Sequence, residues 1–136
     1  MAEFETLKRA IQDSSELWVA GEHEKALKLL DDSIVVAAAE GRKSWVRTLS
    51  HHAAVLASSV ANLGLVKHYY EQSLAHNPGN PRALYGLANV LLEQGEIELA
   101  RNHAAKCHEA ILQSEDEIDR GLLDLIAKRW PEIVAR

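Results

Sequence analysis

The sequence contains one cysteine and three prolines, and its aromatic residues are limited to three tryptophans, three tyrosines and one phenylalanine. The single cysteine, Cys107, excludes an internal disulfide. Alanine and leucine dominate the apolar positions, and both residues favour helices, whereas the large aromatic residues that favour strands are scarce. The composition therefore predicts an all-α protein.

Long hydrophobic runs and an excess of positive charge are also missing. The longest nearly uncharged stretch, residues 48–66, is interrupted by serine, histidine and asparagine and is too polar for a transmembrane helix. With 20 acidic against 15 basic residues, the formal net charge of -5 gives no general attraction to nucleic acid or to an anionic membrane. The first residues lack the basic start and apolar run of a secretory signal. We therefore expect a cytoplasmic protein that binds neither nucleic acid nor membrane.

Motifs for catalysis and cofactor binding are missing as well. The sequence has no glycine-rich phosphate loop, no G-x-S-x-G elbow and no H-E-x-x-H helix. His51 and His52 are adjacent and would point about 100° apart on a helix, so they cannot readily hold one ion together. His103 and Cys107 share a helix face but supply only half of a structural zinc site. We expect no enzymatic activity, no catalytic or metal site and no cofactor, and we expect Cys107 to be a small buried packing residue.

The sequence does contain a regular alternation of helical segments and breaks. Glycines at positions 21, 41, 64 and 95 and the cluster at 77–81 divide the chain, and Asn80 is placed to cap a helix that opens with Pro81. Between the breaks, apolar residues recur at helical spacing. This spacing predicts two helices within residues 7–18 and 26–37, and further helices near 44–61, 65–76, 82–94, 97–113 and 117–130. A chain of 136 residues fits a single domain, 1–136.

An internal repeat is present in this alternation. Residues 21–26 and 95–100 match at four of six positions, and each segment follows one helix and opens another. Their starting positions, 21 and 95, are two repeats apart if one unit has about 34 residues and the other has a lengthened second helix. Units that start at Arg47 and Pro81 give the expected middle repeat of 34 residues.

These features resemble the tetratricopeptide repeat family, whose helix-turn-helix unit has 34 residues. The third unit matches the family pattern best, through Leu84, Leu87, Ala88, Leu91, Gly95, Ala100, Ala104 and Cys107. In the second unit Ala61 replaces the turn glycine. The resemblance implies a right-handed α-solenoid of about seven helices, in which three helix pairs at about 7–46, 47–80 and 81–114 are closed by a capping helix at about 115–130.

The resemblance also implies a function, because stacked helix pairs leave a curved surface on which the first helix of each pair meets a partner. We therefore expect a protein–protein interaction module that binds a peptide or protein segment with an acidic group. The residues expected to contact this partner are Lys8, Gln12, Ser15, His51, His52, Val55, Arg82, Tyr85, Asn89 and Leu92.

Two other hypotheses follow from the same resemblance. A chaperone-binding subgroup of the family holds a C-terminal carboxylate with a clamp of basic and amide residues, and at those positions this chain supplies a suitable charge only at Arg82. That ligand class is therefore disfavoured. The alternative function is self-association as an assembly subunit or homo-oligomer, because a short array has apolar end faces that a second copy could cover.

Overall fold

Connections of three or four residues separate the long helices of this chain. The computed structural model describes residues 2–134, including every side chain in that range except those of residues 2–4 and 118. The long helices are α1 (Ala2–Val19), α2 (His23–Ala39), α3 (Lys43–Ser59), α4 (Leu63–His76), α5 (Pro81–Glu93) and α6 (Ile97–Leu112). No strand occurs within residues 2–134. The predicted all-α class is confirmed.

The six helices form three pairs that stack in chain order. Helix α1 packs on α2, α3 on α4 and α5 on α6, while contacts between α2 and α3 and between α4 and α5 join neighbouring pairs. Small side chains fill many of these contacts, and Ala26, Ala53, Ala100 and Ala104 are all fully buried. Because small residues allow helix axes to approach closely, each pair can pack tightly on the next. The predicted solenoid of three helix pairs is confirmed.

Four of the turns between helices share one hydrogen-bonding pattern. At Gly95, for example, the glycine N–H donates to Leu92 O at 3.1 Å and the following N–H donates to Leu91 O at 2.8 Å. The residue at the centre of each turn has a positive φ, which is 84° at Gly21, 71° at Gly41, 83° at Gly95 and 55° at Ala61. Glycine adopts this left-handed conformation freely, whereas a Cβ atom makes it costly. Ala61 therefore holds a conformation that the other three turns give to glycine.

The connection between α4 and α5 has a different construction, which is centred on Asn80. Its Oδ1 accepts the backbone N–H of Arg82 at 3.3 Å and so caps α5, as the sequence predicts. Its Nδ2 donates to the buried hydroxyl of Ser73 at 3.3 Å. Nearby, Asn77 Nδ2 donates to the carbonyl of Lys43 at 3.1 Å. This connection therefore ties the start of the third pair to both helices of the second.

The closing segment differs from the single helix expected over 115–130. It consists of α7 (Glu117–Arg120), α8 (Leu122–Arg129) and α9 (Pro131–Val134). Pro131 cannot continue α8 but fits the first position of a new helix. Ile126 and Trp130 are buried with residues of α5 and α6 in one core cluster, so the segment covers the last pair.

Cys107 lies in that same core cluster, as expected of a packing residue. Its thiol is fully buried and donates to Pro81 O at 3.2 Å. Burial, together with the charge of Asp119, raises the pKa of the Cys107 thiol to about 12. The side chain is therefore a neutral thiol that joins α6 to the start of α5.

The turn geometry predicts opposite effects of two matched substitutions. Ala61→Gly should raise the free energy of unfolding by about 1 kcal/mol, because it relieves a left-handed alanine. Gly95→Ala should lower the free energy of unfolding by about the same amount. The new Cβ meets nothing within 4 Å, so the cost comes only from the left-handed backbone conformation. Urea titrations followed by circular dichroism measure both changes. A destabilised Ala61→Gly chain would contradict this account of the turn.

Candidate functional site

An open groove of about 360 Å³ lies between α3 and α5. Helix α4 packs against both of these helices and supplies the floor of the groove through Val66 and Tyr70. Leu122 of α8 also lines it. The remaining lining residues are His51, Ser58, Leu63, Arg82, Tyr85, Gly86, Asn89, Val90 and Glu93. We call this space the α3–α5 groove.

The floor depends on a close contact between Tyr70 and Gly86. The aromatic ring of Tyr70 occupies the space that a Cβ atom on residue 86 would need, so only glycine admits the ring at this depth. Burial raises the pKa of the Tyr70 phenol, which is therefore neutral at physiological pH. The ring also faces His51, with 6.4 Å between the ring centroids. Tyr70 thus gives the groove an apolar surface with one hydroxyl.

A smaller polar cleft of about 160 Å³ adjoins the groove at the start of α5. His51, Tyr70 and Arg82 line both spaces. The cleft adds a second guanidinium, that of Arg47, and its remaining lining residues are Thr48, Ser73, Asn80 and Ala83. No carboxylate lines it within the described part of the chain. The cleft therefore has the charge and the donors that suit an anionic group.

Arg82 is held at the edge of the groove by the closing segment. Its Nε donates to Asp119 Oδ1 at 3.0 Å, and a terminal guanidinium nitrogen lies 3.7 Å from Asp116 Oδ2. The Arg82 side chain remains 41% exposed, whereas that of Asp119 is only 15% exposed. The charge of Arg82 is thus partly neutralised within the chain, although the guanidinium still faces solvent.

Two histidines on α3 connect the groove to the first helix pair. Ser15 Oγ lies 3.1 Å from His52 Nε2 and 2.8 Å from Ile11 O. Because the hydroxyl has one proton to donate to the carbonyl, it accepts from His52, which places a proton on Nε2 of that imidazole.

The pKa values of His51 and His52 lie below the ordinary value for histidine. Burial, followed by the charge of Arg82, lowers the pKa of His51, although its side chain keeps some contact with solvent. Burial, followed by the neighbouring His51, lowers the pKa of His52. Both rings are therefore neutral at pH 7.

The structure brings together some of the residues predicted to contact a partner. His51, Arg82, Tyr85 and Asn89 all line the α3–α5 groove, and Ser15 and His52 meet between α1 and α3. The remaining four lie outside the groove lining. Lys8, Gln12 and Val55 are exposed on α1 and α3, and Leu92 is half-buried beside the core cluster of α5 and α6. Partner contact by each of the ten residues stays a prediction.

Several groove residues were not among those predicted. Tyr70, Gly86 and Leu122 line the groove but are not among the ten residues expected to contact a partner. The available signal was Gly86 itself, since a glycine inside a helix costs about 1 kcal/mol relative to alanine and indicates a close approach. Leu122 left no such signal, because its position depends on how the closing segment folds back.

Asn89 presents an unusual polar group in the lining. Its Oδ1 is buried, and no hydrogen-bond partner for it occurs among the described residues. A buried amide oxygen without a donor is costly, and this oxygen has almost no surface exposed to the groove.

Within residues 2–134, no group of three or more histidine, cysteine, aspartate or glutamate side chains is placed to hold a metal ion. His103 Nδ1 instead lies 2.8 Å from Leu99 O. Over the same residues, no helix is both long and apolar enough to cross a bilayer.

The lowered histidine pKa values predict a pH dependence of stability. Below pH 6.5 the unfolded chain binds protons that folded His52 resists, so the free energy of unfolding should fall as the pH drops from about 7 to 5. His52→Gln should make this fall shallower. Urea titrations at several pH values measure the slopes. Equal slopes for His52→Gln and the native chain would contradict the assignment.

Comparisons with known proteins agree with this architecture. Residues 63–106, which span α4, α5 and much of α6, match the tetratricopeptide repeat family. The fold resembles that of the type III secretion translocator chaperone SycD of Yersinia enterocolitica, with a TM-score of 0.67, 17% sequence identity, and coverage of 91% of this chain and 90% of that chain. The search of curated proteins gives no match. The predicted resemblance is confirmed over residues 63–106, and the chain has a tetratricopeptide-like helical repeat fold.

Proposed function

We propose that this protein binds a segment of a partner protein in the α3–α5 groove, and that it is a cytoplasmic binding module and not an enzyme. The observation that carries the proposal is the open groove itself, in which apolar surface lies beside Asn89 and Arg82, with the guanidinium of Arg47 in the adjoining cleft. Specific ligand sites combine apolar contact with a few convergent polar groups in this way.

The apolar part of the groove favours a bulky aliphatic or aromatic side chain of the ligand. Val66, Tyr70, Val90 and Leu122 line the groove with carbon atoms, and Tyr85 adds ring surface at its edge. Burial of one such side chain would supply roughly 1.5–3 kcal/mol of binding free energy.

The polar part favours an extended backbone with a neighbouring acidic group. Asn89 lines the groove, and its side-chain Nδ2 could donate a hydrogen bond to a ligand carbonyl. The cleft with Arg47, Arg82 and His51 would accept a carboxylate next to the buried side chain. The ligand class that fits both spaces is therefore a peptide with an apolar residue close to an aspartate or glutamate.

The similarity to SycD adds modest support. That protein is a translocator chaperone, so a fold of this kind can serve a function in handling another protein. At 17% identity the similarity concerns the fold, and the nature of the partner is proposed from the groove residues alone.

The end faces of the stack favour groove binding over self-association. Two surface depressions beside α1 and α2 contain several charged residues, namely Arg9, Asp13, Lys25, Lys28 and Asp32. A second copy stacked there would have to remove these groups from water at a cost in free energy. At the other end, α8 and α9 already cover α6. Light scattering should give the mass of a single chain at every concentration tested, and a dimer at micromolar concentration would favour self-association.

The central test is a triple substitution on α5. Arg82→Ala, Tyr85→Ala and Asn89→Ala together should abolish the selection of displayed dodecapeptides that the native chain enriches, because they remove the ring surface, the amide and one guanidinium. The control variant carries Glu71→Ala, Lys106→Ala and Glu109→Ala, three exposed positions on α4 and α6. Calorimetric titration of the synthesised peptides measures the loss, and circular dichroism checks that both variants fold. Equal affinity of the α5 variant and the native chain would refute the proposal.

A further inference from the structure

Arg82, which we propose binds the carboxylate of the ligand, is already paired with an acidic side chain of the closing segment. Asp119 on α7 pairs with Arg82 on α5, 37 positions away, at 3.0 Å. Leu122, three residues later, lines the α3–α5 groove. The segment that caps the stack is therefore also in contact with the proposed binding site.

We propose that Asp119 is an internal competitor for Arg82, so that residues 114–121 form an acidic gate which an incoming acidic ligand must displace. This inference rests on the proposed function, since it concerns the regulation of the same groove. The gate is closed in the structure described above, and the groove beside it remains open.

Asp119 is positioned by its neighbours as well as by Arg82. Ser114 Oγ donates to Asp119 Oδ2 at 3.3 Å and accepts the backbone N–H of Asp116 at 3.1 Å. The backbone N–H of Asp119 donates to Asp116 Oδ1 at 3.2 Å. These bonds orient the carboxylate independently of Arg82, which lowers the entropic cost of forming the ion pair.

The rest of the closing segment allows a local movement. Helix α7 has four residues, ends at Arg120 and is followed by Gly121, whereas α8 and α9 are anchored in the core through Ile126 and Trp130. Residues 114–121 can therefore release Arg82 while the anchored helices stay in place. Short segments with few buried apolar contacts are the ones that open at low free-energy cost.

The expected size of the effect follows from the exposure of the pair. Because Arg82 is 41% exposed, water screens the interaction and the closed gate should be favoured by no more than about fivefold over the open one. The apparent affinity of a ligand that needs the open state equals its intrinsic affinity multiplied by the fraction of chains that are open. Removing the competing charge should therefore raise affinity by about two- to fivefold.

The test compares Asp119→Asn with Glu115→Gln, which removes one negative charge from the same exposed segment. The probes are acidic dodecapeptides selected from a displayed library on the native chain, together with copies in which glutamine or asparagine replaces each acid. We expect Asp119→Asn to bind the acidic peptides about two- to fivefold tighter and Glu115→Gln to match the native chain. The neutral copies should show no such gain.

A second variant and a second measurement distinguish release of the gate from misfolding of the Asp119→Asn chain. Ser114→Ala removes a hydrogen bond to Asp119 without changing any charge, and it should raise affinity in the same direction by a smaller factor. Hydrogen exchange in the free proteins should be faster at residues 114–121 in Asp119→Asn, with exchange in α8 unchanged. Equal peptide affinities for Asp119→Asn and the native chain would overturn the gate and leave the groove proposal standing. If neither chain selects a peptide, the groove proposal fails and the gate fails with it.

Discussion

The position of the groove depends on α4, which contacts both the first and the third helix pair. Two consecutive residues on this helix face different neighbours, because adjacent side chains on a helix point about 100° apart. Tyr69 is buried and donates its hydroxyl to Asp31 of α2 at 2.9 Å. Tyr70 lays its ring against Gly86 of α5. The first contact holds α4 to the first pair, and the second sets the depth of the groove floor.

Regular features of the fold could be predicted from the sequence because they depend on local chemistry. The turn glycines, the Asn80 cap and the buried alanines each follow from the conformation or size of a single residue, and their 34-residue spacing indicates how the pairs stack. Ala61 was recognised as the exception to the turn pattern, and its positive φ shows that tertiary packing imposes the turn even without glycine.

The features of the site that depend on contacts between distant residues were less accessible. The Arg82–Asp119 pair joins positions 37 apart, and the contact between Tyr70 and Gly86 joins different repeats. No local propensity encodes either of them. The breaks of the closing segment at Gly121 and Pro131 depend partly on local sequence. The contact between Asp119 and Arg82 that results from them does not. The sequence therefore placed several candidate residues on helices that line the groove, but it gave no indication of the groove floor or of the acidic side chain that pairs with Arg82.

The chemical character of the groove follows from this combination of rigid and movable parts. The helix pairs provide a preformed apolar floor, so little ordering is needed when a ligand binds. At the polar edge, Asp116 and Asp119 partly balance the charge of Arg82, and in our proposal an acidic ligand would replace the carboxylate of Asp119. The direct test of the central claim is a crystal structure of the protein with a bound peptide. The account predicts a peptide between α3 and α5, with an apolar side chain over Tyr70 and a carboxylate towards Arg47 or Arg82, and a peptide bound across the outer faces of α2 and α4 would contradict it.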